Sequence, residues 1–177
     1  MAPKMAVLAV IVAAGGHAAD VRIEASGGDR VQQAMLWRAR TTVTWLYERA
    51  GVRVSWGAGS GRVIRVQFTR ETPAGLRPGA LAYALPFAEG PDTIVVMVDR
   101  VEVAVIQPQV TPLLAYVLAH EIGHVLQACD RHSETGIMKA RWVVEDYGLM
   151  RKFQLGFTPQ DVELMHSGLA LRISESK

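Results

Sequence analysis

The chain has 177 residues, of which half are hydrophobic and a fifth are charged, and its formal net charge is +2 with histidine neutral. This composition excludes an intrinsically disordered chain, and the length suits a single domain with a sizeable core. Because arginine is scattered and no basic run is dense, the charge indicates no nucleic-acid surface.

The N-terminal segment has the pattern of a secretory signal peptide. Lys4 precedes an apolar run from Met5 to Ala14 that is too short to span a bilayer comfortably, and small residues follow up to Ala19. We therefore expect residues 1–19 to be removed, leaving residues 20–177 as one domain of a secreted or periplasmic protein. The single cysteine, Cys129, excludes an internal disulfide, and we interpret it as a small buried apolar residue.

The first part of the mature chain predicts a strand followed by a helix. Residues Val21 to Glu24 alternate apolar and polar side chains as in a strand, and Asp29 is a plausible helix N-cap. Gly51 is a C-cap candidate at the end of this helix. Between them, apolar residues recur at helical spacing: Val31, Met35, Leu36, Val43, Leu46 and Tyr47.

Four segments with strand patterns follow this helix. Val52 to Trp56 and Val63 to Phe68 alternate apolar and polar residues on either side of a glycine-rich turn. A loop rich in proline and glycine leads to Ala80 to Pro86, which we predict to be an exposed edge strand that ends at the proline. Thr93 to Val98 is a continuous β-branched run, which is typical of a buried strand.

Helices are predicted in the second half of the chain. Thr111 is an N-cap with Pro112 at the first helical position, and this helix runs to about Ala128. A last helix is capped by Thr158, with Asp161 in the capping-box position, and the segment before it is irregular. The order of elements predicts an α+β fold, with a mixed twisted sheet of four to five strands packed against three helices.

The motif His-Glu-x-x-His occupies His120, Glu121 and His124 in the helix predicted to begin at Pro112. Because the two histidines are four residues apart, they project from one face of the helix and can bind one zinc ion. Glu121 is offset around the helix, so its carboxylate can act on a water as a general base without being a ligand. Gly123 is small and permits a close backbone approach.

A catalytic zinc site usually has three protein ligands, so a third is expected downstream. Asp130 and His132 lie just beyond the motif, and Met138 follows them. The stretch from His120 to Met138 resembles the metzincin metalloproteases, especially the matrixins. Those proteins have two helix histidines, a third histidine often followed by serine, and a methionine turn beneath the metal, which His132, Ser133 and Met138 match.

Two further segments are similar to matrixins. Residues 79–84 resemble the edge strand that pairs with substrate, and Asp161 with Val162 resembles the start of the C-terminal helix. The resemblance covers most of the chain from Val21 to Leu171, but it is specific only around the zinc motif. It implies a metzincin-like fold with an active-site helix, a backing helix and a C-terminal helix, and Zn²⁺ as the cofactor.

Two positions depart from the matrixin pattern. The family has a glycine three residues after the second histidine, where this chain has Gln127, and its third ligand lies at the position of Asp130. Asp130 is an alternative third ligand, as in the metzincin branch that resembles snapalysin. We favour His132, because without the glycine the helix can run on before turning, and because imidazole is the commoner third ligand beside two histidines.

The resemblance implies a zinc-dependent endopeptidase with Glu121 as general base and a peptide or protein substrate. An extended peptide would add to the edge strand at 81–85 by main-chain hydrogen bonds. The segment 139–150, with Trp142 and Tyr147, would form one wall of the pocket beyond the cleaved bond. We expect a monomer, with no nucleic-acid partner and no membrane association after signal cleavage.

Other interpretations stay open at the level of sequence. A gluzincin-like metallopeptidase would use Glu145 as its third ligand. A non-catalytic, zinc-stabilised binding domain would not need Glu121 as a base, and an interaction module with an accidental motif would bind no zinc. Of the remaining histidines, His17 falls in the signal segment, and we interpret His166 as a surface or core residue and not as a ligand.

Overall fold

The computed structural model describes residues 19–85 and 92–175. The segment predicted as a signal peptide therefore lies outside the described residues up to residue 18, and so do Pro86 and the turn at residues 90–91. Within the described ranges, no helix combines the length and the apolar character that are needed to cross a membrane.

A mixed sheet of five strands forms one layer of the fold. The strands are β1 (Ala19–Ser26), β2 (Val52–Trp56), β3 (Arg62–Thr69), β4 (Ala82–Leu85) and β5 (Thr93–Met97). Their order across the sheet is β2-β1-β3-β5-β4. Strand β4 pairs antiparallel with β5 at one edge, and the other pairings are parallel. The α+β class and the sheet of four to five strands are thus confirmed.

Five α-helices accompany the sheet in the described part of the chain. They are α1 (Gln33–Arg49), α2 (Val98–Ala104), α3 (Gln107–Gln127), α4 (Val144–Arg151) and α5 (Pro159–Glu175). Helix α1 is the crossover between the parallel strands β1 and β2, and it packs against α3. Helix α3 carries the His-Glu-x-x-His motif and also packs against α5 and β4.

The core lies between the sheet and helices α1 and α3. All six apolar residues predicted to form the buried face of the first helical segment are buried, as its periodicity indicated. Helix α3 is buried on nearly every side, because it is enclosed by α1, α5 and β4. The Tyr47 hydroxyl on α1 donates a 2.7 Å hydrogen bond to the Ala119 carbonyl, and this contact fixes α3 one residue before His120.

Two helix starts were wrongly predicted. Asp29 does not cap α1, because it lies in a separate 3-10 turn (Gly28–Arg30) and extended backbone at Val31 precedes α1. Helix α3 begins at Gln107 and not at Pro112, since Pro108 lies in its first turn, where the missing N–H costs little. Pro112 then lies inside α3, where it forfeits one backbone hydrogen bond that the extensive apolar burial of this helix outweighs.

Helices α2 and α4 also differ from the sequence prediction. The β-branched run ending at Val98 was interpreted as strand throughout, but the chain becomes helical there and buries Val98 and Val101 on one turn of α2. Helix α4 lies in the segment predicted to be irregular. Its first turn is closed by the Asp146 carboxylate, which accepts a 2.8 Å hydrogen bond from the Val143 backbone N–H.

Strands β2 and β3 flank β1, although only residues 57–61 join them. The connection runs close over β1, where the Gly57 N–H donates to the Ile23 carbonyl at 2.9 Å. A Cβ on Gly61 would lie 2.0 Å from the Asp20 carbonyl oxygen, and the φ of Gly61 is +99°. This crossing therefore requires glycine at position 61.

Candidate metal centre

Three histidine side chains converge at one end of the fold. His120 and His124 lie on α3, and His132 lies on the segment that follows it. Their ligand nitrogens all lie within 4.8 Å of one another, so the three residues form a group that could hold a metal ion. The three ring-to-ring centroid distances are 4.6, 5.4 and 4.8 Å.

The backbone sets the tautomer of both helix histidines. His120 Nδ1 lies 2.9 Å from the Ile137 carbonyl oxygen, and His124 Nδ1 lies 3.0 Å from the Cys129 carbonyl oxygen. A carbonyl can only accept, so each Nδ1 must donate its proton. Each neutral ring then presents the Nε2 lone pair toward the cluster, which is the arrangement that carbonyl acceptors at Nδ1 give to metal-binding histidines.

The two Nε2 atoms lie 3.0 Å apart. Two neutral imidazoles with Nδ1 protonated have only lone pairs to offer each other at this distance, so a shared cation suits them better than a mutual hydrogen bond. Two nitrogens on a tetrahedral zinc ion, at Zn–N distances of 2.0–2.1 Å, would lie roughly 3.3 Å apart. The residues thus fit a zinc ion, with three imidazole donors and a fourth position left for another ligand.

Burial keeps the imidazoles of the two helix histidines, His120 and His124, neutral. It lowers the pKa of His120 to about 4, and the neighbouring His124 and His132 lower it further while the hydrogen bond to Ile137 opposes the shift. Burial also lowers the pKa of His124, against the hydrogen bond to Cys129. Neutral rings are the form that binds a metal.

The end of α3 explains how the third histidine reaches the cluster. Helix α3 includes Gln127, the position at which the matrixin pattern has glycine, and ends there, so the chain turns only after this position, as expected without the glycine. Ala128 then takes the left-handed conformation, with φ 51°, and turns the chain. Cys129 is only partly buried, contrary to its interpretation as a buried residue, and its carbonyl is the part that contacts the site.

Met138 lies against α3 between the two helix histidines. It is fully buried, and a Cβ on Gly123 would lie 2.5 Å from its sulfur. The sequence indicated a close approach at Gly123, which the small size of this residue permits. The group that approaches is the Met138 side chain. The Ser133 N–H donates to the Met138 carbonyl at 2.8 Å, which closes the loop between the third histidine and the methionine.

Glu121 faces the edge strand β4. Its carboxylate accepts a hydrogen bond from the backbone N–H of Ala84, and burial raises its pKa to about 7 against the effect of that bond. Leu81 accepts from the Met97 N–H, so the alternation of an antiparallel ladder points the backbone groups of Ala82 and Ala84 away from β5. Glu121 and the outward edge of β4 therefore share one side of the histidine cluster.

The alternative ligands do not belong to this cluster. Asp130 and Glu145 are both exposed, and neither is part of the group of side chains that could hold a metal ion among the described residues. Trp142 is partly buried, with its ring edge-on to His120 at a centroid distance of 5.5 Å. Tyr147 is also partly buried, and His166 contacts the Ala50 carbonyl through Nε2 at 2.8 Å.

Sequence reasoning missed a polar network behind the third histidine. The capping box of α5 is confirmed, because the Thr158 N–H donates to the Asp161 carboxylate at 2.9 Å and the Asp161 N–H donates back to Thr158 at 3.2 Å. The same carboxylate also accepts from Ser133 and from Arg131, whose Nη1 lies at 3.2 Å. No local spacing signals these contacts, since the partners lie in different segments of the chain.

No protein-family profile matches this chain, and no match was found among curated proteins.

Proposed function

We propose that this protein is a secreted, zinc-dependent endopeptidase with a metzincin-like catalytic domain. The observation that carries the proposal is the convergence of His120, His124 and His132 beside a carboxylate, Glu121, that faces an open strand edge. Three histidines form the ligand set of catalytic zinc sites that leave one position open. The signal-peptide pattern of residues 1–19 supports export.

Glu121 is the proposed general acid and base. Zinc held by the three histidines would supply a Lewis acid for the scissile carbonyl and for water. The Glu121 carboxylate would take the proton from the attacking water and deliver it to the amine nitrogen as the C–N bond breaks. Its position one residue after His120, on a buried helix, supports this role.

The proposed substrate is an extended peptide bound along β4. The outward N–H and carbonyl of Ala82 and the outward carbonyl of Ala84 offer a donor and acceptors to a strand that would add to this edge. The N–H of Ala84 contacts Glu121, so a peptide at this edge would lie next to the proposed base. Trp142, which is edge-on to His120, would border the pocket on the opposite side.

The first experiment measures zinc stoichiometry on the mature protein, with wild type beside His132→Ala. We expect about one zinc per chain in wild type and a clear loss in His132→Ala. Retention of zinc in both proteins would favour Asp130, or Glu145 as in a gluzincin-like enzyme. Absence of zinc from both would contradict the proposal.

A second experiment separates an enzyme from a zinc-stabilised binding domain. Glu121→Gln keeps the size of the side chain but removes the base, so we expect normal zinc content and peptide hydrolysis slower by roughly 10²- to 10⁴-fold. The measurement is cleavage of a diverse peptide library, read by mass spectrometry. If wild type and Glu121→Gln both bind zinc and neither cleaves any peptide, the protein is a binding domain.

A further inference from the structure

The third histidine lies between two residues that bind one buried carboxylate. Ser133 donates its hydroxyl proton to Asp161 Oδ1, and Arg131 Nη1 lies 3.2 Å from the same oxygen. Arg131 Nη1 also donates to the Ser133 hydroxyl oxygen at 3.3 Å, and its Nη2 donates to Gln160 at 2.7 Å. The chain is thus fixed immediately before and immediately after His132.

His132 has little of its own to fix it. It is exposed, and among the described residues its ring contacts the rings of His120 and His124 without a hydrogen-bond partner. The two helix histidines differ from His132, because the Nδ1 of each is hydrogen-bonded to a backbone carbonyl. The orientation of the third ring therefore depends on the backbone that bears it.

Asp161 is a rigid anchor for that backbone. Its side chain is fully buried, and the capping box with Thr158 fixes it in the first turn of α5. Helix α5 in turn lies very close to α3, since a Cβ on Gly168 would lie 2.1 Å from the Leu126 carbonyl oxygen. A chain of contacts thus runs from the helix that bears two ligands, through α5, to the loop that bears the third.

We propose that Asp161 is a positioning residue of the metal centre, which acts through Ser133 and Arg131 to hold His132 at the distance that the other two histidines require. The inference rests on the proposed metal site and deepens it. Asp161 touches none of the three histidines, so its effect is on the geometry and affinity of the site and not on the reacting atoms.

A merely structural role for Asp161 predicts something different. The carboxylate has two separable sets of contacts, one to the Thr158 N–H just before α5 and one to Ser133 and Arg131 in the loop that bears His132. Thr158→Ala weakens the capping box and leaves the loop contacts in place. Ser133→Ala and Arg131→Ala remove loop contacts and leave the capping box in place, so the three variants form a matched set.

The experiment measures the zinc dissociation constant by competition with a chromophoric chelator, the visible spectrum of the Co²⁺-substituted protein, and the Tm of the metal-free protein. We expect zinc affinity to fall about tenfold in Ser133→Ala and in Arg131→Ala, and by roughly 10- to 100-fold in Asp161→Asn. The Co²⁺ spectrum should change in these variants. Thr158→Ala should lower only the Tm, and Ser133→Thr, which keeps the hydroxyl, should restore wild-type affinity.

The outcomes separate this inference from the proposed function. If wild type binds zinc, His132→Ala weakens it, and the loop variants bind zinc as tightly as wild type, the positioning role is overturned while the metal site stands. Equal losses of affinity in Thr158→Ala and Ser133→Ala would also overturn it, because they would reflect stability alone. If wild type binds neither zinc nor cobalt, both proposals fail. If Asp161→Asn does not fold, the zinc affinities of Ser133→Ala and Arg131→Ala test the positioning role.

Discussion

The helix that carries two of the histidines and the loop that carries the third are held by different forces. Helix α3 is buried on nearly every side, and apolar contacts with α1, α5 and the sheet fix His120 and His124. The loop from Ala128 to Lys139 is buried in the core only near its end, at Ile137 and Met138, and its part around His132 is held by hydrogen bonds and an ion pair that connect it to α5.

This difference separates what local periodicity determines from what tertiary contacts determine. Two histidines one helical turn apart are placed by the helix itself, whatever surrounds them. The third histidine reaches the cluster only if the loop takes one particular path, and polar contacts at 28 and 30 residues' separation define that path. We therefore expect the loop to respond more strongly than α3 to metal, pH and substitution.

The largest expected effect is that of zinc itself. Zinc at about 1,000 times its dissociation constant should stabilise the protein by roughly 4 kcal/mol, which corresponds to a Tm increase of roughly 8–16 °C. Hydrogen exchange should show the main gain of protection in residues 128–139, because α3 is already ordered by its core contacts. If the amides of α3 gain as much protection as those of the loop, the expected difference between the helix and the loop is wrong.

A substitution at the contact between α5 and α3 should have the next largest effect. In Gly168→Ala the new Cβ would meet the Leu126 carbonyl at 2.1 Å, so the two helices must separate, at a cost of roughly 3 kcal/mol in the free energy of unfolding. Gly148→Ala is the matched control, since a Cβ there meets nothing within 4 Å, and alanine should stabilise α4 by about 1 kcal/mol. Urea denaturation of the two variants measures both values, and equal effects would contradict the close packing.

Acid should weaken the attachment of the loop through Asp161. Burial alone raises the pKa of Asp161, but hydrogen bonds from Ser133, Thr158 and Arg131 outweigh burial and lower the pKa below its ordinary value of 3.8. The folded state therefore favours the charged form. This stabilisation is fully present above about pH 5 and is lost as the pH falls through 3.8 toward the lower folded pKa.

Asp161→Asn tests this pH dependence on metal-free protein. It should lower the free energy of unfolding by roughly 2 kcal/mol at neutral pH and remove part of the decline below pH 5. The exposed Asp29→Asn serves as the control, and unfolding by urea at a series of pH values is the measurement. A parallel decline in Asp161→Asn and wild type would show that the Asp161 contacts do not depend on charge.

The smallest expected effect lies at the junction of the two regions. Ala128 has a φ of 51°, a conformation that costs a residue with a Cβ about 1 kcal/mol relative to glycine. Ala128→Gly should therefore stabilise the protein by somewhat less than about 1 kcal/mol, because glycine also gains freedom in the unfolded chain. Ala34→Gly on the exposed face of α1 should instead lower the free energy of unfolding by about 1 kcal/mol. Thermal unfolding that shows destabilisation by both would contradict the assigned conformation.

Much of the scaffold could be predicted because its signals are local. The buried face of α1 follows from helical spacing, β2 and β5 follow from alternation and from a β-branched run, and Thr158 with Asp161 follows from the spacing of a capping box. The two helix histidines follow from their separation by four residues. The choice of His132 over Asp130 was a prediction from ligand chemistry, and His132 is the residue that the structure brings into the cluster.

The remaining features could not be read from spacing, because tertiary contacts decide them. Valine favours strands, yet Val98 and Val101 are helical in α2 because both bury there against the core. The local preference of proline for the first helical position predicts a helix start at Pro112. The residue lies inside α3 instead, because the core contacts of this helix outweigh the lost backbone hydrogen bond. The contacts of Asp161 with the loop that bears His132 join distant segments, and so does the contact of Ala84 with Glu121. Zinc binding and catalysis stay predictions.

The position of β1 between β2 and β3 in the sheet has a consequence for how the chain folds. β1 pairs with both β2 and β3, and all of these pairings are parallel, so the first described segment must associate with segments that follow a whole helix or a crossing loop. Such non-local pairings give a high contact order, and slow folding is expected, on a timescale of milliseconds to seconds. Removal of β1 would leave β2 without its partner strand, so proteolytic trimming beyond Ala19 should be tolerated only for a few residues.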